Sequence, residues 1–285
     1  MSEKTVVITG STGGLGLAAA ADLARMRARV AIVGRSAEKL EKAASTISGD
    51  VAIYRSDLSL LSDVRALADQ IRSNEHRVDV LINNVGVLLP NRSITIEGLE
   101  STFATNLAGH FLLTNLMSSK LQESRPSRII NVTSGGMYSQ RIRPDDLQFR
   151  EDTYSGSAAY ARTKRAQVIL TELWAERMKD TGVVVHSMHP GWAKTEGVAT
   201  SLPTFNKLMK PFLRTPQEGA DTIVWLASSE EAAQSTGQLW FDRRVVPTHL
   251  SESTREMEEE REMLWDQLVA VTRSEFESTS LVESD

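Results

Sequence analysis

Val6-Val7-Ile8-Thr9-Gly10-Ser11-Thr12-Gly13-Gly14-Leu15-Gly16 passes from an apolar β-branched run through glycines into an alanine-rich segment. A strand that turns into a helix in this way suits a phosphate. Glycine accepts positive φ and lets the backbone approach closely, and the free N–H groups and dipole of a helix start favour negative charge. The spacing Gly10-x-x-x-Gly14-x-Gly16 differs from the G-x-G-x-x-G dinucleotide fingerprint, and it lacks the Gly-Lys-Ser/Thr ending of a triphosphate loop. A purely structural turn is the competing reading, and the strand-to-helix context weighs against it.

Outward from this turn, short β-rich runs alternate with helical patterns. Strands are expected at Lys4–Thr9, Arg29–Val33, Asp50–Arg55, Val78–Asn83, Ser127–Thr133, Val183–His189 and Gly237–Phe241. Several are apolar throughout, as expected when helices cover both faces of a parallel sheet. Helices are expected at Gly14–Met26, Ala37–Ile47, Leu61–Asn74, Gly98–Leu121, Ser155–Asp180 and Pro216–Ala227. The alternation predicts an open, doubly wound α/β fold. We expect one catalytic domain over residues 1–250, with irregular substrate loops at 135–156 and 191–215. Residues 251–285 are expected to form a terminal helix and frayed tail. In that tail Met257, Leu264, Leu268 and Val271 are available for packing, and Glu256, Glu258–Glu260 and Glu262 form an acidic face.

Composition narrows the chemistry. The chain has no cysteine, which excludes thiol nucleophiles, thiolate metal sites and disulfides. The 32 Lys and Arg against 37 Asp and Glu leave a net charge of -5, no basis for broad nucleic-acid binding. No apolar run reaches the roughly 18 residues of a membrane-spanning helix. A soluble, cytoplasmic chain is expected, with peripheral membrane contact left open. His186 and His189 lie near a strand end without an evident third ligand, so no metal is expected.

The second strand ends in Val33-Gly34-Arg35-Ser36, where an acidic residue would bind the ribose 2′-hydroxyl of NAD. Arg35 suits a 2′-phosphate instead, so NADP(H) is favoured. Asp57 and Leu58 follow the third strand, where Asp57 either borders adenine or caps the next helix. Tyr160-Ala161-Arg162-Thr163-Lys164 sets a phenol and an ammonium at i and i+4 on one helical face. A lysine cation there would lower the phenol pKa and fit it for acid–base work. Ser134 ends the fifth strand, either to steady a substrate oxygen or to cap a turn. Asn106 either stabilises a local helix irregularity or holds a water.

Together these residues resemble the short-chain dehydrogenase/reductase family from about Lys4 to Phe241. The matching elements are Thr9-Gly10-x-x-x-Gly14-x-Gly16, Asn83-Asn84-Val85-Gly86, Asn106, Ser134, Tyr160-x-x-x-Lys164 and Pro190-Gly191. Val85 departs from the family's usual alanine. The 26 positions from Ser134 to Tyr160 resemble the longer members, including retinol-dehydrogenase-like enzymes and the dehydrogenase/reductase member 12 type. The resemblance implies a Rossmann-type three-layer sandwich with a mostly parallel seven-stranded sheet in the order 3-2-1-4-5-6-7.

The resemblance also implies roles. Gly10, Ser11, Thr12, Leu15 and Gly16 surround the pyrophosphate. Arg35 marks NADP(H), Asp57 and Leu58 border adenine, and Asn84, Val85 and Gly86 pack near the adenosine and ribose. Tyr160 is the acid/base, Ser134 orients the carbonyl, and Lys164 binds the nicotinamide ribose and tunes Tyr160. Asn106 supports a proton-relay water. Pro190, Gly191 and Ala193 line the nicotinamide side, and Thr195 contacts its carboxamide. Hydride transfer between a carbonyl and an alcohol is the expected reaction. Met137, Trp192, Leu202, Phe205, Leu208, Met209 and Phe212 form either an apolar pocket for a lipid-, retinoid- or steroid-like small molecule or the core of a lid. Pairing as a homodimer through the long fourth and fifth helices is implied too, unless the tail favours a monomer. A regulatory or scaffold protein that binds NADP without turnover is the competing function.

Overall fold

The computed structural model describes residues 1–191, 213–274 and 276. The strands are β1 (Thr5–Thr9), β2 (Arg29–Gly34), β3 (Val51–Arg55), β4 (Val80–Asn83), β5 (Ser127–Val132), β6 (Val183–Met188), β7 (Leu239–Phe241) and β8 (Arg244–Val245). They form one sheet in the order β3-β2-β1-β4-β5-β6-β7-β8. Pairing is parallel from β3 to β7 and antiparallel between β7 and β8. The eighth strand is an addition to the seven expected. It follows a two-residue turn at Asp242 and Arg243, both at positive φ, a geometry usually announced by Asn-Gly.

The helices are α1 (Gly14–Arg25), α2 (Ala37–Thr46), α3 (Leu61–Asn74), α4 (Ser101–Phe103), α5 (Gly109–Glu123), α6 (Gly156–Arg177), α7 (Pro216–Ser228) and α8 (Glu258–Thr272). Strand alternation divides the core. Val6 and Ile8 face one side with Leu23 of α1, Leu40 of α2 and Ile223 of α7. Val7 faces the other side with Leu67 of α3, Phe111 of α5 and Leu170 of α6. Burial on both faces is why the central strands carry few polar residues. The expected helix Gly98–Leu121 is interrupted, because a π turn over Ala104–Ala108 separates α4 from α5. Asn106 sits in that turn.

The tail departs from expectation in three ways. Its helix spans Glu258–Thr272, preceded by a short 3-10 turn at Glu252–Thr254. Leu264 and Leu268 are buried and Val271 is half-buried, whereas Met257 precedes the first helical turn and is exposed. Trp265 supplies the packing instead, with its ring 5.0 Å from Phe111 and 6.2 Å from Trp174. Burying one such large apolar side chain is worth about 1.5–3 kcal/mol. Glu256 leaves the acidic face altogether, since its side chain is only 3% exposed. Among the described residues no helix is long and apolar enough to cross a membrane.

Candidate active site

The glycine turn is tied to its neighbours from within. Gly10 and Gly14 hold φ of 68° and 54°. A Cβ on Gly10 would lie 2.9 Å from Val85 Cα, and one on Gly16 would lie 2.5 Å from the Gly10 carbonyl, so both positions require glycine. Asn84 Nδ2 donates to the Thr9 and Gly10 carbonyls at 2.8 and 3.1 Å. Ser11 is fully buried, where its hydroxyl donates to the Ile8 carbonyl and accepts from Val33 N. Its backbone N–H also donates to the Val33 carbonyl at 3.2 Å, so Ser11 ties the turn to β2 from within. The start of α1 has no side-chain cap and no acid in its first turn, and a Cβ on Gly13 would meet nothing within 4 Å. By contrast, Ser36 caps α2, and Thr215 with Glu218 caps α7. The α1 amides are thus left for an anion.

Arg35 lies at the exposed end of β2, and among the described residues its guanidinium has no partner. Arg55 pairs across from Gly34 and donates Nε to the Arg35 carbonyl at 3.3 Å. A Cβ on Gly34 would lie 2.7 Å from Thr12 Cγ2, so this corner adjoins the turn. Arg55 thus adds a second cation at this corner. Asp57 accepts from Ser59 N and Oγ at 2.9 and 2.7 Å, while the N-cap of α3 is Leu60. The helix-cap reading of Asp57 is therefore not what is found. Leu58 is buried, and its carbonyl lies where a Cβ on Gly109 would be, 2.2 Å away.

Beyond β5 the chemical residues come together. Ser155 caps α6, which carries Tyr160 and Lys164 on successive turns, and Thr133 Oγ1 donates to the Lys164 carbonyl at 2.7 Å. The Ser134 hydroxyl accepts from Gly136 N at 3.2 Å, so it caps its turn, and it faces the Tyr160 phenol. Lys164 Nζ donates to the Val132 carbonyl at 2.9 Å and to Gln167 Oε1 at 3.1 Å. A Cβ on Gly86 would lie 3.2 Å from Nζ, so glycine keeps that approach open. Asn106 clamps Val87 at both ends, accepting from its N–H at 2.7 Å and donating to its carbonyl at 2.8 Å.

The electrostatics correct one expectation. Burial raises the Tyr160 phenol above its ordinary value, with the nearby Ser134 hydroxyl opposing. Lys164 does not reverse this. Its Nζ stands 5.6 Å from the ring centre, and burial draws its own pKa down to about 7.

Across the site, Pro190 and Gly191 follow β6. Gly191 has φ of 71°, and Arg214 Cζ lies 3.2 Å from where its Cβ would be. Arg214 is paired with Asp242. Ala193, Thr195, Trp192, Leu202, Phe205, Leu208, Met209 and Phe212 lie outside the described residues. Met137 is fully buried against Val168 and Leu239, so it is core and not pocket lining. His186 is likewise a core residue, meeting the Ala232 carbonyl and Trp240 Nε1. His189 stacks on Phe241 with ring centres 4.3 Å apart. Sequence reading missed Arg55, Arg214, His110 and Gln167. Gln167 was within reach, because it stands at i+3 from Lys164.

Residues 4–145 match the short chain dehydrogenase family. Dehydrogenase/reductase SDR family member 12 of Bos taurus is 38% identical over 253 residues, covering 87% of this chain and 79% of that protein. Retinol dehydrogenase 14 of Homo sapiens is 36% identical over 293 residues, covering 93% and 85%. A solved structure of an uncharacterised Mycobacterium paratuberculosis protein superposes with a TM-score of 0.79 at 31% identity, covering 97% of this chain and 96% of that one. With this NAD(P)-binding fold and these relatives, the chain belongs to the short-chain dehydrogenase/reductase family of oxidoreductases.

Proposed function

We propose that this protein interconverts a carbonyl and an alcohol with NADP(H), and that its substrate is hydrophobic. The observation that carries the reaction is the Ser134 hydroxyl facing the Tyr160 phenol, with Lys164 one helical turn away. When bound, the nicotinamide supplies or accepts the hydride. Tyr160 gives its proton to the carbonyl oxygen in reduction, or takes it from the alcohol in oxidation. Ser134 donates a hydrogen bond to the same oxygen. Lys164 holds the nicotinamide ribose through the approach left by Gly86.

The uncapped start of α1 and the Gly10–Gly16 turn would hold the pyrophosphate, and Asn84 through Gly86 would pack near the adenosine and ribose. Arg35, unpartnered among the described residues and with Arg55 beside it, supports NADP(H) over NAD(H). Asp57 and Leu58 are assigned to the adenine edge. Similarity to a retinol dehydrogenase supports a lipid-like carbonyl or alcohol. We assign residues 1–250 to the catalytic domain. Packing of α8 against α5 and α6 supports a monomer, with homodimer pairing through those helices the alternative.

The test is loss of reduced-nicotinamide absorbance with a panel of hydrophobic aldehydes and ketones. Wild type should consume NADPH, and Tyr160→Phe should not. Equal consumption by the two would remove Tyr160 from the chemistry.

A further inference from the structure

Lys164 is buried, yet no carboxylate among the described residues pairs with it. The titratable groups that face it are Tyr160 on its own helix and His110 on α5. From β5 it meets only the Val132 carbonyl, and Gln167 Oε1 takes a second ammonium hydrogen. The orientation of the Gln167 amide is over-determined. Its Nε2 donates to the Asn106 carbonyl at 2.7 Å and meets His110 Nδ1 at 2.9 Å. Reversing the amide would set NH2 against the ammonium and oxygen against the Asn106 carbonyl. For His110 Nδ1 to accept, that ring must be neutral with its proton on Nε2, which is buried without a partner. Burial holds the His110 pKa down at about 3, in keeping with a neutral ring. The result is a direct hydrogen-bonded bridge from the π turn through Gln167 to Lys164.

We propose that Gln167 is a positioning residue for the reaction, aiming the Lys164 ammonium and sustaining its charge in place of a carboxylate. The proposal rests on the dehydrogenase reading for its consequence, though not for its test. An amide oxygen against a buried ammonium favours the charged form. A carboxylate would favour it more strongly, and an apolar side chain would withdraw the support.

Two variants therefore separate positioning from mere packing. Gln167→Met and Gln167→Glu both lose the donor to the Asn106 carbonyl and His110, but they treat Lys164 oppositely. The direct reading is the titration of Lys164 in cofactor-free protein carrying 13Cε-labelled lysine, with the resonance assigned by Lys164→Arg. The midpoint should fall by about one unit in Gln167→Met and rise by about one unit in Gln167→Glu. The pH profile of hydride transfer should show the limb set by loss of the Lys164 charge displaced downward in the first and upward in the second. Opposite displacement of the Lys164 midpoint supports the proposal, and either variant alone decides it if the other does not fold. An unmoved midpoint, or movement in one common direction, would overturn it. Absence of nicotinamide binding by wild type would defeat the dehydrogenase reading and leave the lysine titration still decisive for Gln167.

Discussion

Lys164 and Arg165 are neighbours on α6, and both bury a cation, but they do so in opposite company. Arg165 turns toward the C-terminal segment, where it bonds the Thr248 carbonyl and lies 3.5 Å from Glu256. Glu256 also meets His249 at 2.9 Å and Arg261 at 3.5 Å, and Arg261 reaches Glu172 at 2.6 Å. Lys164 turns toward the end of the sheet and, among the described residues, hydrogen-bonds to neutral oxygens only. A charge surrounded by counter-charges holds structure together. One left with neutral partners titrates near working pH and acts on what lies beside it. A single step along one helix thus separates the scaffold that seats the tail from the proposed chemistry.

The contrast breaks most sharply at the phenol. Tyr160→Phe should lower kcat by about 10²–10⁴-fold, the usual worth of a placed acid–base group, with an unchanged circular dichroism spectrum. On the other side, Glu256→Ala strands the buried Arg165 cation. Denaturant unfolding should show a loss of about 3–5 kcal/mol. If Glu256→Ala cost nothing in stability but abolished turnover, the division between the two cations would be wrong. Next in size, Arg35→Ala should erode the preference for NADPH over NADH by about 10–100-fold, the worth of a charged hydrogen bond. Arg55→Ala should erode it less, because one of its hydrogens is already given to the Arg35 carbonyl.

A last effect is a slope with pH. Burial depresses the His110 pKa from 6.5 to about 3. Below pH 6.5 the unfolded chain takes up this proton and the folded chain does not. Stability should therefore fall with pH between those values, by about 1.4 kcal/mol per unit from this group. His110→Gln should flatten that part of the stability profile.

Much of this was legible in the sequence because burial on two faces writes continuous apolar strands, and because the Gly10 turn admits few side chains. β8 was not legible, since Asp242-Arg243 lacks the glycine that usually marks so tight a turn. Glu256 read as solvated because its partners Arg165 and His249 come from other parts of the chain, and only folding brings them together. Tyr160, Ser134 and Lys164 stood out by spacing and by position after strands. Gln167 carried the same spacing signal, but a glutamine on a helix reads as surface until its neighbours are known. The raised phenol of Tyr160 could not be read at all, because spacing reports proximity and says nothing of desolvation.

Equilibrium titration of the wild-type protein with NADPH and with NADH, followed by nicotinamide fluorescence, tests the central claim most directly. Saturable binding of both is expected, with NADPH held at least about tenfold more tightly through Arg35. Failure to bind either dinucleotide would contradict the account, and tighter binding of NADH would contradict its assignment of the cofactor.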